Sequence, residues 1–336
     1  MSPMKKIIKG WVHRPGKHCA STALSSISYF YGRNFSEPLC LGLGAGLGFY
    51  YMKGDLYKPT RALFTRSAGL EGNFFISLGM DFLWNTDPDP DHALQVVQEI
   101  VGQGVPVLIQ SDIFYIDYYK SSTHFNGHVV SVWGYDDEKR VVLVGDTQWE
   151  GLQEIPYESL KKARTSNFFP FFLENNYFPA RLDVKMNPLE VAIPLALRKQ
   201  AQELLPTGDP DYPGGVEGMK NAVREMPGWK DLQDMEWIAR FSYQLIERRG
   251  TGGGAFRLMY ADFLKEAEEI LPEMKKYSLS ERMRQVARDW TELSVTLKEV
   301  SETKEVSLLE KAEGELEKVR VGEEAIFSDI MKIFPG

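Results

Sequence analysis

From Cys19 onward, apolar side chains recur at Ala20, Ala23, Leu24, Ile27, Phe30 and Tyr31, the spacing of one helix face, and Gly32 supplies a stop. The spacing predicts a helix with Cys19 in its first turn. Ahead of it, residues 4 to 13 suit a short strand and Arg14-Pro15-Gly16 a turn. Behind it, Ser36-Glu37-Pro38 reads as a helix start. Residues 41 to 51 alternate glycine with apolar residues. No strand precedes this run and no Lys-Ser/Thr pair follows, so it reads as a packed loop in which glycine lets backbones approach closely, not as a phosphate loop. Residues 91 to 103 carry Ala93, Leu94, Val97, Ile100 and Val101 at helical spacing, and residues 105 to 110 read as a buried strand. Then come two strands, 128 to 135 and 141 to 144, rich in β-branched and aromatic residues and separated by a turn that opens with Asp136-Asp137, which predict a hairpin.

The pattern changes near residue 185. Beyond it lie long amphipathic, charged stretches with helical periodicity at 188–205, 215–226, 230–249, 254–271 and 278–301, and a weaker one at 305–333. The Glu/Lys-rich run from Glu299 to Lys318 reads as a solvated helix face. The expected organisation is α+β, with an N-terminal domain over 1–184 and a mainly α-helical domain over 185–336.

Composition narrows the function classes. A net charge of -8 argues against general nucleic-acid binding and leaves room for a cationic small molecule. Two cysteines are too few for a disulfide framework and fit a reducing cytoplasm. No apolar run is long enough for a membrane span, and the N-terminal lysines lead into no signal-peptide core. His124 and His128 stand four residues apart, but His128 opens a predicted strand, so the pair lacks the helical i, i+4 placement of zinc hydrolases and neither a metal nor another cofactor is expected.

The candidate chemistry lies on the predicted Cys19 helix and on the hairpin. Cys19 would sit where the helix macrodipole and free N–H groups favour thiolate. His128 opens one strand and Asp146 closes the next, so antiparallel pairing brings them to the same end of the sheet. A thiol, a base to take its proton and a carboxylate to orient the base form a nucleophilic triad. The aromatic run from Phe114 to Tyr119 can wall off such a site, and Asp112 and Asp117 can greet a cationic acceptor. In the helical half, Gly252-Gly253-Gly254 opens a helix among Arg248, Arg249 and Arg257. This suggests an anion-binding turn, though a tight helix connection uses glycines the same way.

The order of cysteine, histidine and aspartate resembles the papain-like cysteine peptidases, especially the branch of double-glycine leader peptidases. More narrowly, His18-Cys19, the glycine run from Leu41 to Phe49 and His124-Phe125-Asn126-Gly127-His128 resemble the butirosin biosynthesis protein H family, over about residues 10 to 150. Gly250 to Gly254 with Phe256, Arg257 and Tyr260 resembles the helical domain of unknown function that often follows it. The resemblance implies a papain-like fold and acyl transfer from a carrier-protein thioester, or another acyl thioester, to an amine in antibiotic biosynthesis. Cys19 would be nucleophile, His128 base and Asp146 orienting acid. Papain-like enzymes complete the oxyanion hole with a glutamine before the cysteine. None stands there, so His18 or His13 would have to serve, with Asp112, His124 and Gln148 as further substrate-site candidates. A hydrolase using the same triad, and a non-catalytic binding descendant of the fold, are the alternatives.

Overall fold

The computed structural model describes residues 4–54, 58–168 and 172–335. Along the chain run β1 (Lys5–Ile7), α1 (Cys19–Phe30), α2 (Glu37–Leu43), β2 (Leu47–Lys53), β3 (Arg61–Arg66), α3 (Leu70–Ser77) and α4 (Pro90–Gly102). They are followed by β4 (Val107–Ser111), β5 (His128–Asp136), β6 (Val141–Gly145), β7 (Gln153–Pro156), α5 (Tyr157–Arg164) and β8 (Tyr177–Pro179). The rest is helical: α6 (Leu189–Leu204), α7 (Gly215–Glu225), α8 (Met235–Glu247), α9 (Arg257–Ile270), α10 (Leu279–Thr303) and α11 (Ser307–Ile333). The protein is therefore α+β with a mainly helical C-terminal region.

Two compact units form, one from Met1–Cys40 with Asp81–Met186 and the other from Leu41–Met80 with Asn187–Gly336. The first is built on a six-stranded antiparallel sheet in the order β7-β6-β5-β4-β8, with β1 also paired to β5. One edge of β5 is shared, because β4 pairs with residues 128 to 132 and β1 with residues 134 to 136. All nine residues of β5 are buried, as expected for a run of Val, Trp and Tyr at the centre of a sheet. Helix α1 packs on this strand, and Phe30 meets Trp133 edge to face at 5.3 Å. Helix α4 starts cleanly because Asp89 accepts the amides of Asp91 and His92 and Pro90 takes the first turn, where no N–H is missed.

The second unit departs from the domain limits expected from sequence. Residues 41–80, expected within an unbroken 1–184 domain, pack with the helices that follow residue 186. Leucine, phenylalanine and tyrosine alternate along β2, which forms a hairpin with β3 where a packed loop was expected. Helices α7 and α8 cover that hairpin. The Gln200 side chain bonds both the amide and carbonyl of Leu47, at 2.7 and 2.9 Å, and Trp229 donates to the Tyr51 hydroxyl at 3.0 Å. Alternation alone does not reveal where a hairpin finds its cover; these distant side chains decide it. Glycine is required for the approach at Gly48, where a Cβ would stand 2.1 Å from the Arg66 carbonyl oxygen.

Candidate active site

The first unit brings Cys19, His128 and Asp146 together. Gly145 of β6 pairs with Ser131 of β5, so Asp146 leaves β6 at the end where His128 opens β5. His128 Nε2 lies 2.9 Å from Asp146 Oδ1, and both groups are buried. Cys19 is buried, 7% exposed, and its thiol is hydrogen-bonded to the His128 and His18 side chains. With Nε2 turned to the carboxylate, Nδ1 is the His128 nitrogen left for the thiol. Burial by itself would lift the thiol pKa, but the charge of His18 and the hydrogen bond and charge of His128 bring it well below the ordinary value. Burial likewise opposes protonation of His128, yet Asp146 and then Cys19 raise its pKa far above that of a free imidazole. Both shifts favour a thiolate–imidazolium pair over the neutral thiol and imidazole.

Asp146 is held as an anion by more than His128. Tyr118 donates to Oδ2 at 2.5 Å, while Tyr119 and Thr147 donate to Oδ1 at 3.1 and 2.9 Å. Burial would raise the carboxyl pKa, but the His128 charge and these bonds hold it below the usual range. Burial and the Asp146 charge push both phenols up, so they remain protonated donors. Tyr119 also meets His128 edge to face at 5.2 Å, and Trp149 packs edge-on against Tyr118 at 5.4 Å. The sequence showed these tyrosines only as part of an aromatic wall. Nothing in their spacing announces two phenols aimed at one carboxylate.

Glu37 is a second residue that sequence reading passed over, taken there for a helix start. Its carboxylate accepts the backbone N–H groups of Lys17 and His18 at 3.0 and 2.8 Å and the hydroxyls of Ser21 and Thr22 at 3.2 and 3.0 Å. It thereby clamps the turn that delivers Cys19. The Gly16 N–H reaches the Thr147 carbonyl at 2.8 Å, tying the same turn to the residue after Asp146. Gly16 must be glycine, since a Cβ there would stand 2.1 Å from Thr22 Oγ1.

The other candidates fall into distinct places. His18 caps α1, with Nδ1 3.2 Å from Ser21 Oγ, and lies beside the thiol. His13 does not reach it: Nδ1 faces Ser26 Oγ at 3.4 Å, two helical turns, or about 10 Å, beyond Cys19. Burial lowers the His13 pKa against the raising influence of the Trp149 backbone and Asp146. Gln148 is exposed, and among the described residues no hydrogen bond joins it to the triad. Asp112 cannot greet a cation, because it is fully buried and both oxygens are filled. Oδ1 accepts Phe114 and Phe125 N–H at 3.1 and 2.9 Å; Oδ2 meets His124 Nδ1 and Ser166 Oγ, each at 2.7 Å. It instead orients His124, whose ring lies between Phe114 and Phe168 at centroid distances of 4.1 and 3.9 Å. Asp117 receives a hydrogen bond from Ser159 at 3.2 Å.

The glycine turn of the second unit is not an open anion site. The Gly254 N–H goes to Glu247 and the Gly253 N–H to Thr251, at 3.0 and 3.2 Å. Arg257 is fully buried and forked onto Glu323 at 2.7 and 2.9 Å. The glycines serve conformation, since Gly252, Gly253 and Gly254 all have positive φ, continued by Ala255 and Phe256.

Among the described residues, no group of three or more His, Cys, Asp and Glu side chains is placed to hold a metal ion, and no helix is long and apolar enough to cross a membrane. Fold and site together define an α+β protein in which the start of α1 and one end of the antiparallel sheet bring together a buried cysteine, histidine and aspartate. Residues 18–147 match the family model described as Butirosin biosynthesis protein H, N-terminal, and residues 158–330 match Domain of unknown function (DUF4872). The second match spans more than half of the chain, which therefore belongs to the DUF4872 family, and the segment ahead of it matches the butirosin-type N-terminal domain. No curated protein matches it.

Proposed function

We propose that the protein is a cytoplasmic acyltransferase of antibiotic biosynthesis, with a papain-like first unit that moves an acyl group from a thioester to an amine. The observation that carries this reading is the thiol of Cys19 bonded to His128, which is in turn held by Asp146. Cys19 thiolate attacks the thioester carbonyl, and a new C–S bond forms. The donor's C–S bond then breaks, and its thiolate leaves with the proton from His128. An amine attacks the acyl-enzyme, His128 takes the amine proton, and Cys19 departs as thiolate. The N–H of Cys19 and the His18 side chain are the proposed oxyanion donors, in place of the missing glutamine. The donor is a carrier-protein-bound or free acyl thioester and the acceptor a small amine; the family name, taken from butirosin biosynthesis, supports that setting.

Incubation with a panel of acyl thioesters is expected to add one acyl mass to the intact protein, and Cys19→Ala is expected to abolish it. An adduct that persists in the variant would show another nucleophile. Added amines are expected to divert the acyl group into amide. A release rate indifferent to every amine would assign the same triad to hydrolysis.

A further inference from the structure

A groove of about 470 Å³ in the second unit is lined by Arg240, Tyr243, Gln244, Arg248, Arg249, Lys298 and Glu302, from α8, the turn after it and α10. Four cations thus face one carboxylate, on a chain whose net charge is -8. Among the described residues none of the three guanidinium groups forms an ion pair. Arg248 Nε donates to the Tyr243 hydroxyl at 3.0 Å, Arg249 Nε and Nη2 donate to Gln244 Oε1 at 3.3 and 2.9 Å, and Arg249 lies 4.7 Å over the Phe241 ring. Neutral partners hold these guanidiniums in position without neutralising them. Arg249 is partly buried, and desolvation lowers its pKa with no carboxylate acting against it. The only acid of the groove, Glu302, is 3.7 Å from Lys298.

We propose that this groove binds a small phosphate-bearing polyanion, of the class of a diphosphate or nucleoside diphosphate. Planar guanidiniums match phosphate oxygens two at a time, and a lining with a net charge of three calls for more than the single charge of a carboxylate. The volume is that of a small-molecule site. The site is separate from the glycine turn and from Arg257, whose donors are already used. It also stands independently of the acyl-transfer reading.

Calorimetric titration of the full chain with inorganic pyrophosphate and ADP, with adenosine as the neutral control, tests the site. Saturable binding of both anions, absent for adenosine and weakening as salt rises, is expected. Arg240→Gln, at an exposed residue with no ion pair to lose, is expected to weaken it several-fold, and Arg240→Gln with Arg249→Gln at least about tenfold. Glu302→Gln removes the opposing charge and is expected to tighten binding. The proposal is overturned if neither anion binds saturably, or if the arginine variants, with unchanged circular dichroism, bind as the parent does.

Discussion

Cys19 lies between two imidazoles, and burial and charge pull its pKa in opposite directions, with charge the stronger. Its thiolate persists below the pH at which an ordinary thiol is protonated, near 8.5. Iodoacetamide at pH 6 is therefore expected to label Cys19 at least about tenfold faster than Cys40, a buried cysteine with no part in the triad. His128→Ala removes the cation and leaves burial in place, so the labelling profile should move to higher pH. Peptide mapping of the labelled protein measures both, and equal rates at the two cysteines would exclude an activated thiolate. Stability follows the same groups. The depressed Asp146 contributes stability at neutral pH that is lost as pH falls below about 4, while the raised His128 contributes below about 6.5 and loses its share as pH climbs through its folded value. Of these residues Cys19, His128 and Asp146 were legible in the sequence, because each sits at an element end that periodicity marks. Tyr118, Tyr119 and Glu37 were not, because a donor or acceptor becomes specific only when folding supplies its partner.

At the level of elements, α1 is useful because its entry turn is fixed from two sides. Glu37, at the start of α2, accepts two backbone N–H groups of that turn, and Gly16 reaches the Thr147 carbonyl. Glu37→Ala strips a carboxylate acceptor from the Lys17 and His18 amides, at a cost of about 2 kcal/mol. It is also expected to slow Cys19 labelling although the triad is unaltered; urea melts and labelling rates measure the two effects, and an unchanged labelling rate would show that the turn holds Cys19 without the clamp. The β5–β6 hairpin and helix α4 were readable because alternation and amphipathic spacing are local. Strands β3, β7 and β8 and helices α3 and α5 are too short for a period to show, and β8 finds its partner β4 far along the chain. Local pattern has little to say about such pieces.

Across the whole molecule, the largest correction is the membership of residues 41–80, which pack with the helices after residue 186. In that unit Arg257 and Glu323 form a fully buried pair. Trp290 also donates to Glu323 at 2.7 Å, and Arg257 donates to the Ala255 and Gly48 carbonyls at 2.7 and 3.2 Å. Removing one member of a buried pair strands the other, at about 3–5 kcal/mol. Glu323→Ala is expected to destabilise the helical unit by that amount in urea unfolding, whereas a loss within a few tenths of a kcal/mol would mean that Arg257 finds another partner. The stripe Leu309, Ala312, Leu316, Val319, Ile326, Phe327 and Ile330 on α11 is buried at helical spacing, with Glu323 inside it. The sequence read that stretch as weakly patterned because its buried glutamate breaks the apolar run.

The sequence by itself determined the helix that begins at Cys19, the hairpin that carries His128 and Asp146, and the helical character of the second half, since each rests on a period repeated among near neighbours. Only the tertiary structure decided which donors hold Asp146, that Asp112 is a staple for His124, that Arg257 belongs to the core, and that residues 41–80 join the helices. Those outcomes depend on groups far apart in the chain competing for the same buried hydrogen bonds, and such competition leaves no mark on local spacing.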